Sequence, residues 1–153
     1  MKLIISIICA IFACINTTNA QVVISTSDLD GTKWQLAKQY DDYSNVYYEY
    51  SQGKKIWHQS DGDTFTYSYY LSDTIPTTFD FSKVGVSTKG CYYVQYNPAL
   101  DYFSCKTILY FSKYEGKMIL GLARDSSTTS TFILIPSNKP RNQSANESII
   151  DNW

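Results

Sequence analysis

Alternation of apolar and polar residues is the strongest regular pattern along the chain. In the segment 64–71, Phe65, Tyr67 and Tyr69 alternate with threonine and serine, as in a strand with one buried face. Turn residues such as Ser60-Asp61-Gly62-Asp63 separate this segment from its neighbours. The pattern predicts strands over residues 33–39, 45–51, 55–59, 64–71, 77–81, 90–96, 101–112, 116–124 and 131–136. Short strands joined by tight turns predict an all-β fold, an antiparallel up-and-down barrel of about eight to nine strands.

Composition agrees with this prediction and argues against one class of partner, nucleic acid. The 14 tyrosines and seven phenylalanines favour strands over helix bundles. The formal net charge is −1 and no basic stripe is present, so nucleic acid is not an expected partner. The pair Lys54-Lys55 is interpreted as a solvated turn.

Residues 1–20 have the pattern of a secretory signal peptide. Lys2 is followed by a mostly apolar run, and the segment ends in small residues at Ala20. The run is too short for a comfortable transmembrane helix. An alternative is a lipoprotein signal with Cys14 as the lipidated residue, although Phe12 fits that motif poorly. We therefore expect a secreted, extracellular protein with no membrane span.

The rest of the chain is interpreted as one domain, residues 21–136, followed by a polar tail, residues 137–153. The tail contains two N-glycosylation sequons, at Asn142 and Asn146. If used, they would make the protein a glycoprotein and mark the tail as exposed.

Two cysteines, Cys91 and Cys105, lie outside the predicted signal peptide. An even pair in a secreted chain predicts a disulfide. If Asn97-Pro98-Ala99 forms the turn of a hairpin, Cys91 lies directly opposite Cys105, with Cα atoms about 4.5 Å apart, within bonding reach. The bond would contribute on the order of 3 kcal/mol in the chain-entropy model. Two free, buried thiols are the alternative.

Two further segments carry a resemblance to a known family. Gly31 precedes Trp34 near the start of the predicted barrel, and the strand ending Leu120-Gly121-Leu122-Ala123 leads to Arg124. Together they resemble the lipocalin (calycin) pattern, which implies a barrel closed at one end by an arginine packed over the tryptophan ring. The chain departs from that pattern in having Gly-x-x-Trp rather than Gly-x-Trp, and it shows no clear helix after the last strand.

Candidates for catalysis or metal binding are sparse. His58 is the single histidine, and Asp61-Gly62-Asp63 has the composition of a turn rather than of a complete calcium loop. Glu49 and Asp101 have no spacing that would bring their carboxylates together. We expect no metal, no cofactor and no enzymatic activity.

The resemblance and the aromatic excess predict binding of a small, mostly hydrophobic ligand inside the barrel. The alternative is that the same rings fill the interior and leave no cavity for a ligand. A second hypothesis is a secreted protein- or glycan-interaction domain that uses exposed tyrosines and holds no internal ligand. A third, an isomerase or dehydratase of this fold, would need a titratable group inside. The candidate lining residues are Trp57, Phe65, Tyr67, Tyr69, Tyr93, Phe103, Leu109 and Phe111.

Overall fold

Eight antiparallel strands close into a barrel in the computed structural model, which describes residues 20–40, 45–125 and 127–136. The order around the barrel is β10-β2-β3-β4-β5-β7-β8-β9, and β1 pairs with β6 in a separate two-stranded sheet. This confirms the predicted all-β, up-and-down architecture. The strands are β1 (Ile24–Ser25), β2 (Lys33–Leu36), β3 (Tyr47–Ser51), β4 (Lys54–His58), β5 (Thr64–Ser72), β6 (Lys89–Gly90), β7 (Tyr92–Asn97), β8 (Tyr102–Tyr114), β9 (Lys117–Ala123) and β10 (Thr129–Leu134).

Short helical segments complete the part of the chain that is described. They are α1 (Thr26–Leu29), α2 (Ala37–Tyr40) and a 3-10 turn (Phe81–Lys83). The prediction of a strand over 77–81 is wrong, because Asp80 caps the 3-10 turn by accepting a hydrogen bond from the Ser82 backbone nitrogen. Neither α1 nor α2 is long or apolar enough to cross a bilayer.

The β7–β8 hairpin differs from the predicted one in its register. The strands are joined across residues 98–101, with Asp101 at φ 46°, and not across Asn97–Ala99. Val94 therefore lies opposite Cys105, while the Ile108 backbone nitrogen bonds to the Cys91 carbonyl at 2.9 Å. The prediction that Cys91 lies directly opposite Cys105 is therefore wrong, and both thiols are free in this structure. A disulfide between Cys91 and Cys105 stays a prediction.

A β-bulge between Ile108 and Tyr110 reverses the faces of β8. Before the bulge, Phe103 shares the outer face with Cys105, opposite Tyr96 and Val94. After it, Phe111 points inward and joins the core. Phe103, Leu109 and Phe111 consequently do not share the single face that uninterrupted alternation predicts.

Trp34 belongs to the buried core at the end of the barrel where β2 begins. Only 1% of its surface is exposed, and its Nε1 donates to Thr32 Oγ1 at 2.6 Å. The Thr32 hydroxyl in turn donates to the Leu29 carbonyl. Phe111 packs against the indole, with ring centroids 6.1 Å apart. The expectation of a buried tryptophan with a satisfied N–H is confirmed.

Three predictions fall on the ends of the chain. The signal peptide lies almost wholly in residues 1–19, and the polar tail with Asn142 and Asn146 in residues 137–153, both outside the described residues.

Candidate functional site

Lys55 lies inside the barrel, and the turn before it determines this. Gln52 and Gly53 both have positive φ, 47° and 74°, as in the two-residue turns that suit hairpins. The turn fixes the β3–β4 register, so that Lys55 lies opposite Tyr50, which is fully buried. Lys55 itself is 5% exposed, whereas its neighbour Lys54 is exposed. The interpretation of both lysines as a solvated turn was therefore wrong for Lys55.

Aromatic rings from four strands lie around the Lys55 side chain. The distances from Nζ to the ring centroids are 4.4 Å for Tyr48, 5.6 Å for Phe132, 5.7 Å for Tyr67 and 5.9 Å for Tyr93. Ring faces attract a cation, and the attraction strengthens when water is excluded. The rings therefore offset part of the cost of placing an ammonium group here.

A short polar network connects Lys55 to neighbouring strands. Lys55 Nζ donates to Gln95 Oε1 at 3.2 Å, and the Tyr93 hydroxyl donates to the same oxygen at 3.4 Å. The Tyr93 ring also meets that of Tyr50 edge-on, with ring centroids 6.3 Å apart. Gln95 lies opposite Tyr69 on the adjacent strand, which places its amide among the inward-facing side chains. One amide oxygen thus serves both Lys55 and Tyr93.

No carboxylate among the described residues forms an ion pair with Lys55. Ion pairs among the described residues include His58–Glu49 and Lys83–Asp80. Burial, together with the nearby charge of Lys106, lowers the pKa of Lys55 to about 7. Burial also lowers the pKa of Lys106, with a smaller contribution from Arg124. The site therefore holds two lysines whose positive charges lack a counter-ion.

Two buried polar atoms of inward-facing side chains lack a hydrogen-bond partner. They are the hydroxyl oxygen of Tyr69, which is 1% exposed, and Nε1 of Trp57. The Tyr69 ring stacks on that of Tyr93 at 5.4 Å and meets that of Tyr50 edge-on at 5.1 Å. Buried donors are normally paired, so unpaired donors on the inner face are positions at which a ligand could accept hydrogen bonds.

Most of the predicted lining residues lie on the inner face, but not all. Tyr69 and Tyr93 are core residues, and Tyr67 lies over Lys55. Trp57 and Phe65 are cross-strand partners with ring centroids 5.6 Å apart, and Phe65 is 44% exposed. They stand where β4 ends and β5 begins.

Phe103 and Leu109 do not line the interior. Phe103 contacts Phe79 on the outer face, with ring centroids 6.4 Å apart, and Leu109 is exposed at the bulge. Their predicted role in the lining was wrong because the bulge changes the face of β8. Phe111, on the other side of the bulge, packs against Trp34.

The predicted plug of Gly31, Trp34 and Arg124 is also not formed. Trp34 lies opposite Leu134, the last residue of β10, whereas Arg124 follows Ala123, which lies opposite the first residue of that strand. Trp34 and Arg124 are therefore at opposite ends of β10, and Arg124 is exposed. The Trp34 ring packs on Phe111, and Gly31 adopts φ 75° in the turn before β2.

The residues considered for catalysis lie elsewhere. Glu49 and His58 occupy the outer face of β3 and β4, joined by a 3.1 Å contact, with His58 stacked on Tyr47. Asp101 lies in the β7–β8 turn and accepts a hydrogen bond from the Tyr96 hydroxyl at 2.8 Å. Among the residues that the structure describes, no group of histidine, cysteine and acidic side chains could hold a metal ion.

Sequence reasoning missed Lys55, Lys106 and Gln95. A signal for Lys55 was present, because it lies two residues before Trp57 and therefore on the same face of β4. The interpretation gave more weight to the charge of lysine than to its position on the same face as Trp57. Gln95 lies two residues after Tyr93, a predicted lining residue, and therefore on the same face of β7. For Lys106 the β7–β8 register was needed, and it was predicted incorrectly.

Comparison with known protein families, curated proteins and solved structures gives no match to this chain. The eight-stranded closed antiparallel barrel is compatible with a calycin-like fold. The function must therefore be argued from the residues inside it.

Proposed function

We propose that this protein is exported and that its barrel binds a small, mostly apolar molecule bearing an acidic group. The observation that supports this most directly is Lys55, a buried lysine that faces aromatic rings and pairs with no described carboxylate. An apolar body would contact the inner-face rings, and an anionic group would approach Lys55 and Lys106.

The energetic argument depends on how a buried charge is compensated. Removing an ammonium group from water is costly unless it gains a partner of opposite charge. The Gln95 oxygen and the surrounding rings supply only dipoles and quadrupoles. A carboxylate from a ligand would compensate the charge directly.

Binding of two molecules with one carbon skeleton would test the proposal. Hydrocinnamate and hydrocinnamyl alcohol share an apolar body, and only the first is an anion at neutral pH. We expect the full mature protein to bind the carboxylate at least about tenfold more tightly in calorimetry, roughly 1.4 kcal/mol. Near pH 8 binding should also take up a proton, because the anion raises the pKa of Lys55 from about 7.

Matched lysine variants make the test specific. Lys55→Met should remove both the preference for the carboxylate and the proton uptake. Lys54→Met should retain them, because Lys54 is exposed and its Nζ bonds to Ser68 Oγ at 2.8 Å. The proposal fails if neither compound binds, or if Lys55→Met binds both as the unaltered protein does.

The alternative of an exposed tyrosine surface has less support in the structure. Tyr102 and Tyr114, 53% and 63% exposed, stand at the first and last positions of the 13-residue strand β8. A strand of that length separates them by about 40 Å, at roughly 3.3 Å per residue. They cannot contribute to one compact patch.

A further inference from the structure

We propose that Lys55 also forms a reversible covalent imine with aldehydes that enter the barrel. The inference rests on the proposed function in one respect, that a small molecule reaches the inner face beside Lys55. It goes beyond that function because it assigns a bond-forming role to the lysine nitrogen.

The surroundings of the Lys55 nitrogen favour a neutral amine. Lys106 extends from β8, where it lies opposite Tyr93, and its charge opposes a second one nearby. The titratable groups on the inner face of β3, β5 and β7 include five tyrosines, and burial raises the pKa of each above its usual value: Tyr48, Tyr50, Tyr67, Tyr69 and Tyr93. These phenols stay uncharged at neutral pH and provide no anion to retain the lysine proton.

The hydrogen bond from Lys55 to Gln95 leaves the lone pair of the neutral amine available. Gln95 Oε1 is an acceptor, so the contact at 3.2 Å uses an N–H of the amine. A neutral amine keeps its lone pair for attack on a carbonyl carbon. Lysine desolvated in an apolar site is one recognised form of activated nucleophile.

The reaction needs no component besides the amine and the aldehyde. The Nζ lone pair forms a C–N bond, and the carbonyl π electrons move to oxygen, which takes up a proton as nitrogen loses one. The resulting carbinolamine loses its hydroxyl and the remaining N–H hydrogen as water, and C=N forms. Amine and aldehyde thus give imine and water, and hydrolysis reverses the step.

The populations of neutral amine favour Lys55 over surface lysines. A pKa of about 7 leaves roughly half of the Lys55 population neutral at pH 7. A lysine with an ordinary pKa of about 10.4 is neutral in fewer than one molecule in about a thousand. This excess of reactive form favours Lys55 even if access to the barrel slows the reaction.

Reductive trapping with hydrocinnamaldehyde and cyanoborohydride would test the inference. The reagent converts the imine to a stable secondary amine, which peptide mass spectrometry can locate. At pH 7 we expect modification at Lys55 at least about tenfold above that at Lys33, an exposed lysine whose Nζ also lies beside a tyrosine ring, 5.4 Å from that of Tyr47. The excess should disappear in urea-unfolded protein and in Lys55→Arg.

The pH profile and a second ligand separate the possible failures. Modification at Lys55 should rise steeply from about pH 5 to about pH 7, as the neutral form of the amine becomes populated. Equal modification of Lys55 and Lys33 in folded protein would overturn the inference. If hydrocinnamate binds but no Lys55 adduct forms, the imine is excluded and the proposed function remains; if neither compound engages the barrel, both fail.

Discussion

Among the lysines that lie against tyrosine rings, Lys55 is inside the barrel and Lys83 is on its outer surface. Outside, Lys83 Nζ is 5.4 Å from the Tyr70 ring centroid and 3.9 Å from Asp80 Oδ2, and about half of its side chain is exposed. Inside, Lys55 is 4.4 Å from the Tyr48 ring centroid and 5% exposed. The same pair of side-chain types therefore gives a solvated ion pair in one region and an uncompensated charge in the other.

The aromatic rings near the two lysines also differ in location. The Tyr70 ring near Lys83 belongs to an outer cluster on the barrel wall. Of the rings near Lys55, those of Tyr93 and Phe132 belong to the buried core and that of Tyr48 packs against it. The outer cluster consists of Tyr70, Phe79, Phe81, Tyr96 and Phe103. A lysine beside an aromatic ring is thus not a binding site in itself. Burial and the absence of a counter-ion make Lys55 a candidate, and each can be tested.

Truncation of one ring in the buried core and of one in the outer cluster should give the largest difference in the free energy of unfolding. Tyr93 is 0% exposed and packs on Tyr69 and Tyr50, so Tyr93→Ala should lower the free energy of unfolding by about 3–5 kcal/mol. Phe79 is only half-buried, and Phe79→Ala should cost about 1–2 kcal/mol. Urea unfolding followed by tryptophan fluorescence measures both.

A conservative variant separates the ring from its hydroxyl. Tyr93→Phe keeps the packing and removes the hydrogen bond to Gln95, so it should lower the free energy of unfolding by only about 1–2 kcal/mol. Equal losses for Tyr93→Ala and Phe79→Ala would contradict the distinction between core and outer cluster.

The fold followed from local signals that tertiary structure did not override. Alternation in segment 64–71 correctly placed Phe65, Tyr67 and Tyr69 on one face, and the turn residues separated the strands at nearly the observed positions. These signals depend on neighbouring residues and a period of two, which a single sequence displays.

The candidate site was less predictable because it depends on register. A hairpin turn misplaced toward residue 97 changed which residues face each other, and the bulge at 108–110 reversed the face of Phe111 relative to Phe103. Lys55 shows a different limit, since its charge favours the surface and only the contacts from four other strands explain its burial. Such contacts cannot be read from local pattern.

The pH dependence of the free energy of unfolding should reveal the buried lysine, Lys55. The pKa of Lys55 is about 7 in the folded protein and near its ordinary 10.5 in the unfolded chain. Between these values the unfolded state binds a proton that the folded state does not, so the free energy of unfolding rises with pH. From about pH 7 to about pH 9 we expect a gain of about 2 kcal/mol, with little change from Lys55 below about pH 6.

The same measurement on variants of Lys55 and of its chain neighbour Lys54 identifies the group responsible. Lys55→Met should abolish most of the rise, and Lys54→Met should retain it. Measurements stop near pH 9 because ionisation of tyrosine in the unfolded chain lowers stability at higher pH. A rise that persists in Lys55→Met would show that another group causes it.

The smallest effect is expected for Lys83. Exposed ion pairs contribute little and are screened by salt, so Lys83→Met should leave the unfolding midpoint within experimental error. The pKa of Asp80 is lowered mainly by its hydrogen bonds from Ser82, with Lys83 contributing less. An NMR titration should therefore find that carboxyl pKa still lowered in Lys83→Met and nearer its usual value in Ser82→Ala. The opposite order would show that the outer lysine, like Lys55, is coupled strongly to its surroundings, and exposure would then not explain the difference between the two.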